Sequence, residues 1–389
     1  MHERYFVRGG RAHLGTGQTL EDAAIEVVGT KIGRVGRSAD FGEADLEGNT
    51  LLRAPCVSPG LVDAHTHLGV WRQGAGRIGH DLNEASELVA PHLRAADSID
   101  PRDTAFGAAR AAGITSVAVS PGSSSLVGGQ IAFLKTAGTR AAEMTINPSI
   151  GMKVAFGAVP LSRYDGRGPS TRMGAAGALR EALVAATNYA LLRKDRGEAC
   201  PRSLRHEALC RVLQQDIPLH VHCHEAHSIL TILQIAKEFG CRVVLVHGTD
   251  APAVADALAE AKVPVIFGPA LMTAESPEVA TLAFSSAEVL RRSGVVVALT
   301  TDHGAVPINQ LLTLAALTVK SGMPEEAAFD AVTSVPASIC GMGDRIGRIA
   351  SGYDADIVLY DGDPLDVRTH VVRTIVNARL VDQGPERAS

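Results

Sequence analysis

Between residues 57 and 345 the chain alternates short β-branched runs with longer stretches of helical periodicity. Ile114–Val119, 151–155, 218–222, 242–247, 264–267 and 295–301 are apolar almost without interruption, as strands covered on both faces are. Residues 103–112, 171–192, 227–239, 251–261 and 308–320 instead space their apolar positions three and four apart. Strand-helix alternation at this interval predicts a parallel sheet. Seven or eight such units fit a closed (β/α)8, TIM-like barrel. A doubly wound open sheet is the competing arrangement, but no GxGxxG follows an early strand.

The two ends are patterned differently. Residues 1–56 and 346–389 carry short alternating runs broken by glycines, among them 24–28, 31–35, 50–52 and 371–378. Isolated hairpins are marginal in water. The expectation is therefore one small β-sandwich domain built from both ends (1–56 plus 346–389), flanking a barrel at 57–345.

Composition narrows the function classes. The chain has 389 residues, 46% hydrophobic and 20% charged, with 37 Lys and Arg against 42 Asp and Glu. A net charge of −5 without a basic run gives no surface for nucleic acid or an anionic membrane. The opening MHERYFVRGG lacks the apolar core of a signal peptide, and no run approaches a membrane span. Six cysteines without a CxxC pair suit reduced thiols in the cytoplasm. Cys223 lies between two histidines, and alternation turns it toward the helix layer. A small-molecule substrate is expected, and a homo-oligomer is compatible with the sequence.

The chemistry gathers where a barrel places it, at the C-terminal ends of strands. Val57-Ser-Pro-Gly-Leu-Val-Asp-Ala-His65-Thr-His67 ends an apolar run in two histidines that share a face and can grip one divalent ion. LHVHCHEAH (219–227) sets His220, His222 and His224 on one face, VVLVHG ends in His247, and VVVALTTDHG ends in Asp302 and His303. Lys153 lies in the apolar strand IGMKVAFG, where an ammonium is costly unless paired, exposed or chemically altered. Each has a bland reading: a satisfied core histidine for His247, a turn cap for Asp302. Their succession at the ends of consecutive strands favours a metal site. The loop SPGSSSLVGGQ (120–130) lacks the Gly-Lys-Ser/Thr of a P-loop and is expected to line the pocket, with Gln130 as a substrate contact. Arg172 is a candidate for binding a substrate carboxylate, with a structural salt bridge as the alternative.

PGLVDAHTH, the late Asp302 and SGYDADIVLYDGDP (351–364) resemble the amidohydrolase superfamily, and within it the imidazolonepropionase-like branch. The resemblance covers essentially the whole chain. It implies that His65, His67 and Asp302 bind one ion, most simply zinc, and that His222 and His247 are the fifth- and sixth-strand histidines. Lys153 matches the lysine that is carboxylated in binuclear members and bridges two metals; in mononuclear members that bridge is missing. His220, on the ligand face one step deeper, and His224 are expected to stand behind the ligands, with direct ligation by His220 as the alternative, and His303 near the substrate. Two departures matter: Gly157-Ala-Val-Pro-Leu161 replaces a Gly-Glu-Asn-Pro-Lys segment, and His220 and Glu225 replace a lysine and an arginine.

The resemblance implies hydrolysis of a C–N bond in a cyclic, imidazolone-like or peptide-like amide. A bound divalent ion lowers the pKa of water from about 15.7 towards roughly 7, with Asp302 as proton acceptor and the metal or His247 polarising the carbonyl. An alternative is deamination of an amino-heterocycle with Glu225 as proton shuttle. A non-catalytic scaffold is a third reading, and it predicts missing ligands, none of which is missing. No GxSxG elbow supports acyl-enzyme chemistry.

Overall fold

The computed structural model describes residues 4–42, 45, 49, 51–84, 86–163, 168–274 and 276–381. Thr50 of the early alternating runs and the extreme ends, 1–3 and 382–389, lie outside the described residues.

The chain opens with β1 (Arg4–His13), β2 (Thr19–Val28), β3 (Lys31–Arg37) and β4 (Leu51–Pro59). Eight strands follow: β5 (Leu61–Thr66), β6 (Ile114–Val119), β7 (Val127–Lys135), β8 (Thr145–Ala155), β9 (Leu219–Cys223), β10 (Val243–His247), β11 (Val265–Phe267) and β12 (Val297–Leu299). β13 (Ile357–Tyr360), β14 (Val371–Val376) and β15 (Arg379–Leu380) close the chain.

The end strands make one seven-stranded sheet in the order β15-β14-β13-β4-β1-β2-β3. The two chain ends meet where β13 pairs antiparallel with β4, from Ile357 opposite Pro59 to Tyr360 opposite Cys56. One face buries Val7, Ile25, Val27, Val57, Ile357, Leu359 and Ile375. Burying each such side chain stabilises the sheet by about 1.5–3 kcal/mol relative to leaving it exposed. This sheet is pinned to the next by Lys135, which is buried between Asp356 and Asp354. At the crossing, Gly60 donates its N–H to the Asp356 carbonyl, and a Cβ there would lie 2.1 Å from the Thr115 hydroxyl. Only glycine fits so close an approach.

β5 to β12 form an eight-stranded sheet in sequential order, a nearly closed barrel. Where the sequence predicts unbroken strand-helix alternation, β7 runs antiparallel to both β6 and β8. It contains Val127–Gln130, the end of the segment expected to be pocket loop. Its glycine pair hides the strand pattern, yet Gly129 is required: its φ is +123° and a Cβ would sit 2.7 Å from the Leu93 carbonyl. Edges β5 and β12 are joined by side chains. The Thr300 hydroxyl lies 2.6 Å from both an Asp63 oxygen and the His65 carbonyl, either of which can accept its proton, and the Thr301 amide and hydroxyl donate to Asp63 (3.0 and 2.6 Å).

Inside the barrel, Val62, Ala64, Ala118, Ile131, Phe133, Ile150, Val244, Val246, Ile266 and Ala298 pack into an apolar floor. Outward positions such as Leu219, Val221 and Cys223 pack against the helices, including Arg172–Arg196, Leu204–Leu213 and Ala226–Phe239. All six cysteines are free thiols. Among the described residues no helix is long and apolar enough to cross a membrane.

Candidate metal centre

Above the apolar floor, the strand ends hold two groups of three side chains whose ligand atoms lie within 4.8 Å of one another: His65, His67 and Asp302, and His222, His224 and His247. In the first, one Asp302 oxygen is 3.4 Å from His65 Nε2 and 3.3 Å from His67 Nε2. The two groups are contiguous. The His65 and His247 rings lie 5.5 Å apart and those of His222 and His247 4.5 Å.

Local backbone aims these side chains. The ladder between β5 and β6 is irregular between Asp63 and Thr66, so a bulge falls at the first histidine, where such irregularities re-aim side chains. On β10, Val244 and Val246 face inward, and alternation would send His247 outward. Its φ of +73° turns it back to the site. Asp302 is also left-handed, at φ +48°. Strained positions of this kind persist only where surroundings over-determine them.

Carbonyls hold the rings. His67 Nδ1 donates to the Ser120 carbonyl (2.8 Å) and His247 Nδ1 to that of Gly268 (2.7 Å), leaving each Nε2 as a lone-pair donor facing the site. His224 Nδ1 meets the Thr249 hydroxyl at 2.8 Å. The sequence set His224 behind the ligands; the structure brings it into the second group, because the chain leaves β9 just before it and turns the ring inward against His247, stacked at 5.1 Å.

Burial sets the charge states. It depresses His65 and His222 far below the ordinary imidazole value, helped by Lys153 on His65 and by His247 on His222. Burial also takes His220 and His224 down to about 3 and His303 to about 4. For Asp302, burial pushes upward, but the surrounding His67 and His247 imidazoles and the Lys153 nitrogen hold it well below the usual carboxylate range. Asp63, which the sequence reading did not single out, is raised to about 6 by burial despite its donors. Its place inside PGLVDAHTH was the available signal.

The donors fit a divalent metal. They are imidazoles and a carboxylate, and buried Asp302 Oδ1, His65 Nδ1 and His222 Nδ1 have no hydrogen-bond partner in the protein. Lys153 is fully buried with Nζ 3.3 Å from His65 Nε2, and burial lowers its pKa to about 8 against the opposing pull of Asp302. His220 lies deeper on β9, opposite Lys153. His303 accepts the Ile308 N–H on Nδ1 and packs edge-on against Trp71.

Two expected substrate contacts have partners within the protein. Gln130 faces the helix layer, donating to the Pro91 carbonyl and accepting from Arg211, because it alternates with the inward Ile131. Arg172 is ion-paired with Glu225 and stands 3.8 Å from Glu278, so the protein itself supplies the carboxylates.

Residues 56–385 match the profile of the Amidohydrolase family. The crystal structure of an amidohydrolase from Thermotoga maritima MSB8 superposes with a TM-score of 0.92 at 34% identity, covering 97% of this chain and 99% of that one. An imidazolonepropionase from Anaeromyxobacter dehalogenans is 27% identical, covering 95% of this chain and 92% of that protein. Amidohydrolase tasK from Hapsidospora irregularis is 28% identical over 85% of this chain, which spans only 36% of that protein.

Proposed function

This chain belongs to the amidohydrolase family, hydrolytic enzymes acting on C–N bonds, and from that premise we propose a metal-dependent hydrolase of a cyclic amide, imidazolone-like or peptide-like. The carrying observation is the pair of contiguous ligand groups at the strand ends, one of them containing the ionised Asp302.

In this reading His65, His67 and Asp302 hold one zinc ion, and His222 and His247 hold a second together with a carboxylated Lys153. A divalent ion bound there acidifies water and polarises a carbonyl at neutral pH. Asp302 accepts the proton of the attacking water and passes it to the leaving nitrogen, a role its depressed pKa and position between two imidazoles support. His67 and His247, fixed by the Ser120 and Gly268 carbonyls, keep their orientation without reorganisation. His303 and Trp71 form one wall beside Asp302. The free cysteines support a cytoplasmic setting.

Deamination is disfavoured. Glu225 is committed to Arg172, and it precedes helix Ala226–Phe239 as its cap residue rather than standing free to shuttle protons. The relatives compared above are named as amidohydrolases and an imidazolonepropionase.

Elemental analysis of protein purified without chelator, followed by a panel of lactams, imidazolones and N-acyl amino acids, tests the proposal. Close to two transition-metal equivalents and chelator-sensitive ring opening or acyl release are expected. Less than about half an equivalent with chelator-insensitive turnover defeats it. Stoichiometric ammonia from an amino-heterocycle, with no lactam opened, would move the assignment to deamination.

A further inference from the structure

Beneath the two ligand groups lies a side chain with no assigned task. His220 is fully buried, and neither ring nitrogen has a hydrogen-bond partner in the protein. Its strand neighbours accommodate it at some cost. On β8, Gly151 leaves the space that the ring fills: a Cβ there would stand 2.5 Å from His220 Cδ2 and 2.8 Å from Nε2. A neutral imidazole always carries one N–H, so at least one buried donor is unmatched. Leaving such a buried group unpaired is destabilising, so retention of an imidazole here calls for a partner.

Register identifies where that partner stands. In the parallel β8–β9 ladder, Lys153 lies directly opposite His220, and both side chains enter the barrel. Lysine as an amine brings only donors, and its nitrogen lies toward His65, 3.3 Å from Nε2. Two donors facing each other do not satisfy either group. A carboxylated lysine brings acceptor oxygens to the same place.

We propose that His220 is a positioning residue that donates its ring N–H to the carboxylate of a carboxylated Lys153, holding the modified side chain from below. The inference rests on the carboxylated-lysine reading given above. The neutral lysine nitrogen bonds to the carbon of carbon dioxide, one C=O π bond opens onto oxygen as the carboxylate charge, and the nitrogen loses one proton to solvent. No oxidant or further reactant is needed. His220 thus acts on the modification, and through it on the second ion, without being a ligand itself. The open space over Gly151 is what accommodates an imidazole there in place of a smaller residue.

The test uses zinc-loaded full-length protein in 13C-bicarbonate, reading the lysine carbamate signal by 13C NMR and metal content by elemental analysis. His220→Met removes the donor and keeps an apolar filler, and His220→Gln keeps an N–H. Wild-type protein should show the carbamate. His220→Met should need about tenfold more bicarbonate for half-occupancy, the worth of one hydrogen bond to a charged group, and should bind less of the second zinc. His220→Gln should recover most of both. Gly151→Ala, which crowds the ring, should resemble His220→Met. A wild-type carbamate unaffected in all three variants overturns the role of His220 and leaves the carboxylated-lysine reading intact. Absence of any carbamate in wild-type protein that holds zinc overturns both.

Discussion

The two ligand groups lie side by side yet differ in kind. His65, His67 and Asp302 combine two imidazoles with an ionised carboxylate, whereas His222, His224 and His247 are imidazoles alone. A dication in the first group meets a negative charge, with the Lys153 nitrogen 3.3 Å from His65 Nε2; in the second it meets neutral donors. In the proposed reading the second group gains its anion from carboxylation of Lys153. On that proposal, proton transfer belongs to the first group and ion count to the second.

The largest effect should come from the first group. Asp302→Asn keeps the shape and removes the proton acceptor, so turnover of any amide accepted by the wild type should fall about a thousandfold, with far-UV circular dichroism unchanged. If activity falls less than about tenfold, the carboxylate is not the proton acceptor and the contrast fails. Next, His222→Ala combined with His247→Ala should lower bound metal from two equivalents toward one, measured by elemental analysis, with the first ion retained. Loss of both ions together would show that the groups are not separable.

Asp63 sharpens the contrast from beneath. Asp63→Asn should destabilise the protein by about 2–3 kcal/mol in urea unfolding, because an amide cannot accept from Thr300, Thr301 and His65 together.

A pH series on metal-free protein tests the buried imidazoles. His220 and His224 near 3 and His303 near 4 lie below their unfolded value of roughly 6.5. The unfolded chain therefore binds more protons between those limits. Stability should be complete above pH of about 6.5 and should fall as pH drops toward about 3. Asp63, raised to about 6, works in the opposite sense between its folded and unfolded values and offsets part of one imidazole. A melting temperature flat from pH 7 to 4 would contradict these burials. The smallest effect is expected for Arg172→Met: less than about 1 kcal/mol in urea unfolding, because the Arg172–Glu225 pair is partly exposed and screened by solvent.

These differences track what was legible in the residues. His65 and His67, two apart behind Pro59-Gly60, are a local pattern, and so is the apolar run that ends at Asp302. The alternation of strands and helices is local as well, and it led to the eight-stranded sheet. The third strand was less legible because Gly128 and Gly129 dilute its pattern, and antiparallel pairing is decided by neighbours rather than by the strand itself. Gln130 and Arg172 looked like substrate contacts because their chemistry is apt. Their partners, Arg211 for one and Glu225 for the other, come from distant segments that periodicity does not connect.

By itself the sequence determined the kinds of donor present, their order along the chain and the strand ends that would carry them, since hydrophobic period and residue chemistry are properties of short segments. Tertiary structure alone decided which donors meet. It drew His224 into the second group, turned His247 and Asp302 inward through left-handed backbone, and joined β5 to β12 through Asp63 and two threonines. The physical reason is that positive φ, strand register and buried hydrogen bonds are paid for by contacts between segments far apart in the chain.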